Sequence, residues 1–284
     1  MKLNRAIVRT PSASVVQGLR ATGGPDPFLD GFQREHAACL AAVEAAGLAV
    51  TVLPPLQEFP DAVFVEDPAL VFPNGAILLR PGAPTRAAES QALEPALRER
   101  FDTVLALERG HVDGGDVLVT PERTFIGVSA RTDPAGAEAL IDLLAVLGHR
   151  GHIVRTPSGV LHLKSACSLL DEETVLVTAS LAASGIFDGY RLFTVPEGEE
   201  DAANVLRLNH VVLASAAGPR TLDLLDRHGF TTLPLQTTEL RKLDAGLSCL
   251  SLRWWADDHQ TATARASPAI PGAPGQPLRQ DQQG

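Results

Sequence analysis

Residues 117–154, VLVTPERTFIGVSARTDPAGAEALIDLLAVLGHRGHIV, contain the pattern that decides the fold. Two short apolar runs, Val117–Val119 and Thr124–Gly127, are separated by turn residues. A stretch rich in Ala and Leu follows around Ala135–Leu147, and then a third apolar run at His152–Val154. Short β-branched runs bounded by turn residues are typical of strands, whereas Ala and Leu favour a helix. The segment therefore predicts a strand–strand–helix–strand (ββαβ) unit.

The same order of elements recurs about five times along the chain, at a period of roughly 40–50 residues, which is the range of repeat architectures. The N-terminal copy has a strand at Ala6–Arg9, a helix at Phe32–Ala46 and a second strand at Leu48–Leu53. Two further copies carry helices predicted at Ala87–Arg100 and Pro219–His228. The pattern predicts an α/β protein of repeated ββαβ units.

The last apolar run, Leu247–Leu252, is predicted to form a strand and has no helix of its own. The N-terminal copy could complete its sheet, which would close the array into a ring. A ring removes exposed sheet edges between units and creates a central funnel to which every unit contributes. An open α/β sheet with mixed connections explains the same pattern, so the residues alone leave both architectures open.

Composition divides the chain into a globular part and a tail. Residues 1–255 carry the repeats, and their number suits a single large domain. Residues 256–284 are rich in Ala, Pro, Gln and Gly, with Ile270 and Leu278 as their only large apolar side chains. Such a segment buries too little apolar surface to offset the entropy of ordering it. We therefore predict a disordered tail over 256–284.

The charge and hydropathy of the chain exclude some classes of binding partner. The chain of 284 residues has a formal net charge of −10, which argues against nucleic acid and anionic membranes and mildly favours small cations. No apolar run approaches the ~20 residues that cross a bilayer, and the N-terminus has no apolar signal region. These features predict a soluble protein without a nucleic-acid or membrane partner.

The chain has three cysteines, Cys39, Cys167 and Cys249, which are scattered and form no CxxC motif. This distribution fits neither a disulfide framework nor a zinc ribbon, so we expect reduced thiols and a cytoplasmic location. Cys39 lies in a predicted helix and has the character of a small core residue. The other two lie at predicted strands, which leaves either of them as a candidate nucleophile.

The segment from Asp61 to Asp67 contains three carboxylates, and two of them, Glu66 and Asp67, are adjacent. Adjacent residues at the end of a strand point to opposite sides, so both cannot be solvated if that strand is central. Buried carboxylates suit a planar guanidinium cation, with which they pair bidentately. The alternative is a strand-end turn whose acids are solvated.

A second polar cluster, HVDGGDVLV, begins at His111. Its paired glycines, Gly114 and Gly115, allow positive φ and a close backbone approach, which predicts a tight turn before the next strand. His111, Asp113 and Asp116 also have loose metal-ligand spacing. No further ligand motif supports a metal site, so we expect none.

His162 is a candidate general acid or base, because histidine titrates near neutrality. A histidine between leucines on a predicted strand is more often a plain core residue, which is the alternative. Cys249 follows a glycine-containing turn, where a thiol can reach a ligand, and is slightly preferred to Cys167 as the nucleophile. Such a thiol needs a base or a positive neighbour, and His162 is the leading candidate.

Four motifs occur in one order: FVEDPALVF (64–72), VDGGDVL (112–118), HLKS (162–165) and LDAGLSCLSLRW (243–254). The ordered set closely resembles the dimethylarginine dimethylaminohydrolases, a family of the guanidine-modifying superfamily. The resemblance extends over nearly the whole chain, to about Trp255. It implies a five-bladed α/β-propeller, the pentein fold, with ββαβ units around a central active-site funnel.

The resemblance also implies catalytic roles. Cys249 matches the nucleophile and His162 the general acid/base. Asp113 matches the acid that orients the histidine, where some members have Glu. The implied reaction passes through a covalent S-alkylthiouronium on the cysteine and uses no metal or organic cofactor.

Seven further positions match substrate contacts of the family. Carboxylates hold the guanidinium and the α-amino group, arginines bind the α-carboxylate, and backbone carbonyls complete the set. Glu66 and Asp67 match the guanidinium ligands, Asp61 the α-amino ligand, Arg86 and Arg131 the arginines, and Leu19 and Leu243 the carbonyl positions.

The function implied is hydrolysis of asymmetric dimethylarginine or monomethylarginine to citrulline and dimethylamine or methylamine. The partner expected is therefore a small cationic methylated arginine, and a homodimer is left open. A related guanidine hydrolase such as an arginine deiminase is the first alternative. A non-catalytic arginine-binding protein is the second.

Overall fold

A computed structural model of the chain describes residues 2–21 and 23–257. These residues form fifteen strands and five α-helices, and the strands form five sheets of three strands each. None of the helices within these ranges is long and apolar enough to span a bilayer. Nearly all of the predicted tail, 258–284, lies outside the described residues.

The strands follow one another at short intervals along the whole described chain. In order they are β1 (Arg5–Arg9), β2 (Ala49–Leu53), β3 (Ala69–Phe72), β4 (Gly75–Leu78), β5 (Val104–Ala106), β6 (Val117–Val119), β7 (Thr124–Val128), β8 (Gly151–Arg155), β9 (Cys167–Leu169), β10 (Thr174–Val177), β11 (Arg191–Thr194), β12 (Leu206–Leu208), β13 (Val211–Ser215), β14 (Thr231–Leu235) and β15 (Leu252–Trp254). The helices are α1 (Leu29–Ala45), α2 (Glu89–Arg98), α3 (Pro134–Val146), α4 (Ala179–Ala182) and α5 (Pro219–Arg227).

Every sheet has the same topology. The orders are β15-β1-β2, β3-β4-β5, β6-β7-β8, β9-β10-β11 and β12-β13-β14. The first strand is antiparallel to the second, and the second is parallel to the third. A parallel pair needs a crossover, which one helix supplies in each sheet. The predicted ββαβ repeat is confirmed.

The ring closes through the two ends of the chain. β15 pairs with β1 in register, with Ile7 opposite Leu252 and Arg5 opposite Trp254. Residues of the first strand of every sheet line one common cavity, so these five strands surround a single axis. The architecture is therefore the predicted five-bladed α/β-propeller, and the open-sheet alternative is wrong.

The helix α3 shows why the sequence folds locally as it does. Asp133 caps its N-terminus by accepting a hydrogen bond from the N–H of Gly136 at 2.7 Å, and a proline occupies the first turn. Ala137, Leu140 and Leu144 recur at helical spacing and are fully buried against the neighbouring sheet. One apolar face thus attaches this helix to its blade.

Three expectations about strands are wrong, and all concern segments that carry candidate site residues. Leu247–Leu250 is a 3₁₀ turn, and the strand begins only at Leu252. His162 lies just before a second 3₁₀ turn, Leu163–Ser165, rather than on a strand. The carboxylates before Pro68 lie in irregular chain ahead of β3, not at the end of a strand. In each case side-chain and backbone hydrogen bonds to other blades replace ladder pairing, as the site shows.

Candidate active site

The first strand of each sheet, β3, β6, β9, β12 or β15, is an inner strand of the propeller. The turns before these five inner strands bring the candidate residues together. Asp67 precedes β3, Asp113 precedes β6, His162 precedes β9 and Cys249 precedes β15. Asn204 precedes the fifth inner strand, β12. Because the inner strands surround one axis, their starting ends meet at one end of it. Residues far apart in sequence therefore form one cluster.

His162 and Asp113 form a buried pair. The Nε2 atom of His162 lies 3.0 Å from Oδ2 of Asp113, whose side chain is completely buried. The other oxygen of Asp113 accepts a hydrogen bond from the N–H of Gly82 at 2.7 Å. Burial lowers the pKa of His162, but the hydrogen bond to Asp113 and the negative charges of Asp67 and Asp116 outweigh it and raise the pKa. The pair therefore favours an imidazolium.

Asp116, which the sequence suggested only as a loose metal ligand, anchors the turn that follows His162. Its Oδ1 accepts the N–H of Leu163 at 2.9 Å, and its Oδ2 accepts the hydroxyls of Ser129 at 2.6 Å and Thr132 at 2.7 Å. Burial raises the pKa of this carboxyl despite those hydrogen bonds. Asp116 thus helps to set the position of the histidine.

Three side chains in the cluster offer ligand atoms to a cation. Donor atoms of Asp67, Asp113 and His162 lie within 4.8 Å of one another. Each already has protein partners, because Asp67 bonds Arg86 and Gly115 while His162 and Asp113 bond each other. The arrangement thus satisfies these groups without an ion.

The two glycines of the HVDGGDV motif permit close packing. A Cβ at Gly114 would lie 1.9 Å from the carbonyl oxygen of Glu66. A Cβ at Gly115 would lie 2.8 Å from the ring of His162 and 3.0 Å from Oδ1 of Asp67. Neither glycine has positive φ. The close backbone approach predicted for this motif is confirmed, and it sets the space available to the histidine.

We expect Gly115→Ala to displace the ring of His162 and weaken its bond to Asp113. Loss of that bond lowers the pKa of His162, which an NMR pH titration of the imidazole measures. Gly23→Ala is the matched control, because nothing lies within 4 Å of a Cβ at Gly23. Equal imidazole pKa values in both variants would contradict the packing argument.

Cys249 lies beside two carboxylates. Its N–H donates to the carbonyl of Gly246 at 3.2 Å, and its carbonyl accepts the N–H of Glu66 at 3.3 Å. Burial raises the pKa of the thiol to about 12, the charges of Glu66 and Asp67 contribute to the rise, and Lys164 opposes it. The thiol is therefore neutral near neutral pH.

The other two cysteines are less accessible than Cys249, which is only partly buried. Cys167 is fully buried, and its thiol donates to the carbonyl of Leu163 at 3.3 Å. Burial raises the pKa of Cys167 and brings that of Cys39 to about 11. Among the three thiols, Cys249 alone combines partial exposure with a place in the cluster.

Glu66 is held by residues that the sequence analysis did not assign to its surroundings. Its Oε1 accepts from Lys164 Nζ at 2.8 Å and from Arg253 Nη2 at 2.9 Å, and its Oε2 accepts the hydroxyl of Ser248 at 3.0 Å. Arg253 also donates to the carbonyl of Ser248 at 2.9 Å and to Ser251 Oγ at 2.7 Å. These bonds connect the turn Leu247–Leu250, which carries Cys249, to the carboxylate of Glu66.

Asp67 and Arg86 form a buried ion pair that also includes Glu89. Arg86 Nη1 bonds Asp67, and its Nη2 donates to Glu89 at 2.7 Å. Burial raises the pKa of Asp67, but the charges of Arg86 and His162 outweigh it and bring the pKa to about 2. Burial raises the pKa of Glu89 to about 7 even though Arg86 opposes the rise. The i,i+3 spacing of Arg86 and Glu89 was the signal that could have revealed Glu89.

The remaining predicted residues gather around Asp61. Asp61 Oδ1 accepts the N–H of Leu19 at 2.9 Å. A Cβ on the neighbouring Gly18 would lie 2.9 Å from that oxygen and 3.1 Å from the side chain of Leu243. Burial raises the pKa of Asp61, and Arg131 is among the charges that oppose the rise. The structure thus brings these positions into the same cluster.

Comparison with known proteins agrees with this geometry. The family model described as arginine deiminase matches residues 33–204. The chain is 35% identical to the dimethylarginine dimethylaminohydrolase of Pseudomonas aeruginosa, over 87% of this chain and 98% of the relative. It is 34% identical to the Streptomyces coelicolor enzyme of the same name, over 89% and 98% of the two chains.

Solved structures show the same likeness. A cysteine-to-serine variant of the Pseudomonas aeruginosa protein, complexed with citrulline, superposes with a TM-score of 0.86 at 34% identity, covering 89% of this chain and all of that one. The N-terminal domain of ArgZ, a cyanobacterial arginine dihydrolase, gives a TM-score of 0.78 at 17% identity and shares the fold.

Proposed function

Because the chain belongs to the dimethylarginine dimethylaminohydrolase family, we propose that it hydrolyses asymmetric dimethylarginine and monomethylarginine to citrulline. Dimethylamine or methylamine is the second product. The observation that carries the proposal is the position of a partly exposed cysteine beside two buried carboxylates, Glu66 and Asp67. A guanidinium cation held by those carboxylates presents its carbon to the thiol.

The substrate's polar ends fit the remaining residues. Asp61 takes the α-amino group, with the carbonyls of Leu19 and Leu243 nearby. The guanidinium of Arg131 has no hydrogen-bond or ion-pair partner among the described residues, so it is free to bind the α-carboxylate. Arg86 is instead buried and bonded to Asp67, Glu89 and the carbonyl of Phe64, so we propose Arg131 as the principal ligand of the α-carboxylate.

Substrate binding activates the nucleophile. The negative charges of Glu66 and Asp67 help to raise the pKa of Cys249, and a bound cation offsets them. The thiol then loses its proton to solvent water, and the thiolate sulfur bonds the guanidinium carbon as the C=N electron pair moves onto nitrogen. The C–N bond to dimethylamine breaks as the imidazolium of His162, held by Asp113, gives its proton to the departing nitrogen. A Cys249 S-alkylthiouronium remains.

Hydrolysis of this intermediate restores the enzyme. His162, now neutral, takes a proton from a water molecule whose oxygen bonds the thiouronium carbon. The C–S bond breaks with its electron pair on the sulfur of Cys249, which takes up the second proton of the attacking water, and the oxygen stays as the ureido oxygen of citrulline. Asp113 stabilises the imidazolium that forms in this step.

A panel of substrates tests the reaction. The purified chain is incubated separately with asymmetric dimethylarginine, monomethylarginine, arginine and agmatine, and the ureido products and released amines are quantified. We expect citrulline with dimethylamine or methylamine from the methylated substrates. Preferential release of ammonia from arginine would instead place the protein with the deiminases, and no turnover of any substrate would favour an arginine-binding protein.

We also propose that the enzyme works in the cytoplasm, where Cys249 stays reduced. The three free thiols support this location.

A homodimer is proposed as well, because the outer strands β2 and β14 carry exposed apolar residues, Val52 and Leu233. Light scattering of the purified chain distinguishes the dimer from a monomer.

A further inference from the structure

The common cavity that the five inner strands line lies behind the turn Leu247–Leu250, which carries Cys249, along the axis of the propeller. Its volume is about 400 Å³, and residues of all five inner strands line it. Glu66 and Ser248 form part of its wall, whereas Cys249, His162 and Asp113 do not. The cavity therefore shares a boundary with the site described above but is a separate space.

The polar part of this cavity carries excess positive charge. Lys164 and Arg253 both reach it, and they share a single oxygen of Glu66 at 2.8 and 2.9 Å. Their side chains are only 12% and 14% exposed. Two cations and one carboxylate leave one positive charge largely shielded from water. Lys2 and Arg207 also line the cavity, and among the residues that the structure describes Glu66 is the only acidic one in its wall.

The shielded cations also have unused donors. Among the described residues, Lys164 Nζ has one partner, Glu66, although an ammonium group can donate three hydrogen bonds. The remaining wall is mostly apolar and includes Leu70, Val119 and Leu169. A charged donor next to an apolar surface favours a ligand with an anionic head and an apolar body.

We propose that this axial cavity binds a small organic carboxylate, with its carboxylate at Lys164 and Arg253 and its apolar body against the inner strands. A cation of the same shape would meet the excess positive charge. A neutral alcohol of that shape would leave the charge unpaired. An anion without an apolar body would gain nothing from the walls.

The two tryptophans of the chain make the cavity directly observable. Trp254 and Trp255 both line it, and the chain contains no other tryptophan. Hexanoate titrated into the full-length protein is expected to give a saturable change in tryptophan fluorescence. Acetate, 1-hexanol and hexylamine are expected to bind at least about tenfold more weakly, because each lacks either the apolar body or the anionic head.

Two variants locate the binding. Lys164→Gln is expected to weaken hexanoate at least about tenfold by removing the charged donor. Val119→Phe is expected to weaken hexanoate at least about tenfold by narrowing the cavity, and a hexanoate bound at Arg131 would not respond to it. Arg227→Gln, an exposed change on α5, is the control and should bind as the parent does. Circular dichroism and thermal melting establish that each variant folds.

The proposal is overturned if hexylamine or 1-hexanol binds as tightly as hexanoate, if no ligand binds, or if a folded Lys164→Gln variant binds unchanged. The titration of Lys164→Gln with hexanoate decides the question even if Val119→Phe does not fold. Because the titration needs no turnover, it gives its answer whether or not the proposed hydrolase activity is found.

Discussion

Replacing Cys249 with serine is expected to lower turnover of asymmetric dimethylarginine by about 10³-fold or more while substrate affinity changes only a few-fold. A hydroxyl is a far weaker nucleophile than a thiolate. The hydrogen bonds that hold the residue, to Gly246 and Glu66, are made by its backbone and survive the change. Steady-state kinetics and calorimetric binding of the substrate measure the two effects separately.

Cys167→Ser is the matched control for this prediction. It makes the same chemical change at a buried position, and its hydroxyl can keep the bond that Cys167 donates to Leu163. The variant should retain most of the activity. Substantial turnover by Cys249→Ser, or its loss in a folded Cys167→Ser, would contradict the assignment of the nucleophile.

Asp113→Asn is expected to lower turnover by about 10²- to 10⁴-fold, because an amide neither holds the histidine in its orientation nor stabilises the imidazolium. The hydrogen bond that His162 donates to Asp113 is the main influence that raises the pKa of the histidine. The variant should therefore have a lower imidazole pKa, which NMR titration detects without any substrate. A change in turnover without this shift would indicate a merely structural role.

The sign of the accompanying stability effect follows from the same pKa. A raised folded-state pKa means that protonated His162 stabilises the fold below the unfolded value, and that this contribution is lost as pH rises through the folded value. Asp113→Asn should remove this contribution. The free energies of unfolding of parent and variant, measured with urea, should therefore differ more in acidic than in alkaline buffer.

Asp133→Asn is the control for this pair. Asp133 also lies 3.0 Å from a histidine nitrogen, that of His111, but both side chains are nearly half exposed. Asparagine caps a helix nearly as well as aspartate, so α3 should persist. We expect near-parental turnover, and a loss as large as that of Asp113→Asn would show that the effect is not specific to His162.

Much of the fold could be predicted from local pattern. The ββαβ repeat depends on short β-branched runs and on alanine- and leucine-rich helices, both of which are local properties. Predicted helices such as Pro219–His228 fall within a few residues of the observed α5, and the strand predicted at Leu48–Leu53 is observed as β2. Ring closure does not follow from the residues alone, because the pairing of Ile7 with Leu252 is a contact between chain ends that no local pattern reveals.

The candidate site was harder to predict, since its energetics depend on contacts between blades. Glu66 is paired with Arg253, which is 187 positions away, and with Lys164 on another blade. The sequence favours Cys249 over Cys167 only slightly. The choice between them depends on how deeply each thiol is buried, which the structure shows. The 3₁₀ turns at Leu163–Ser165 and Leu247–Leu250 have the sequence pattern of strands, because the pattern shows their apolar residues but not the hydrogen-bond partners on other blades.

The most direct test of the account is to find the covalent intermediate. Acid quenching during turnover of asymmetric dimethylarginine, followed by peptide mass spectrometry, should show the Cys249 peptide heavier by the mass of the substrate less dimethylamine. Cys249→Ser, treated identically, should show no adduct and form no citrulline. An adduct on a different residue, or citrulline formed at the parental rate by the serine variant, would contradict the central claim that Cys249 bonds the guanidinium carbon.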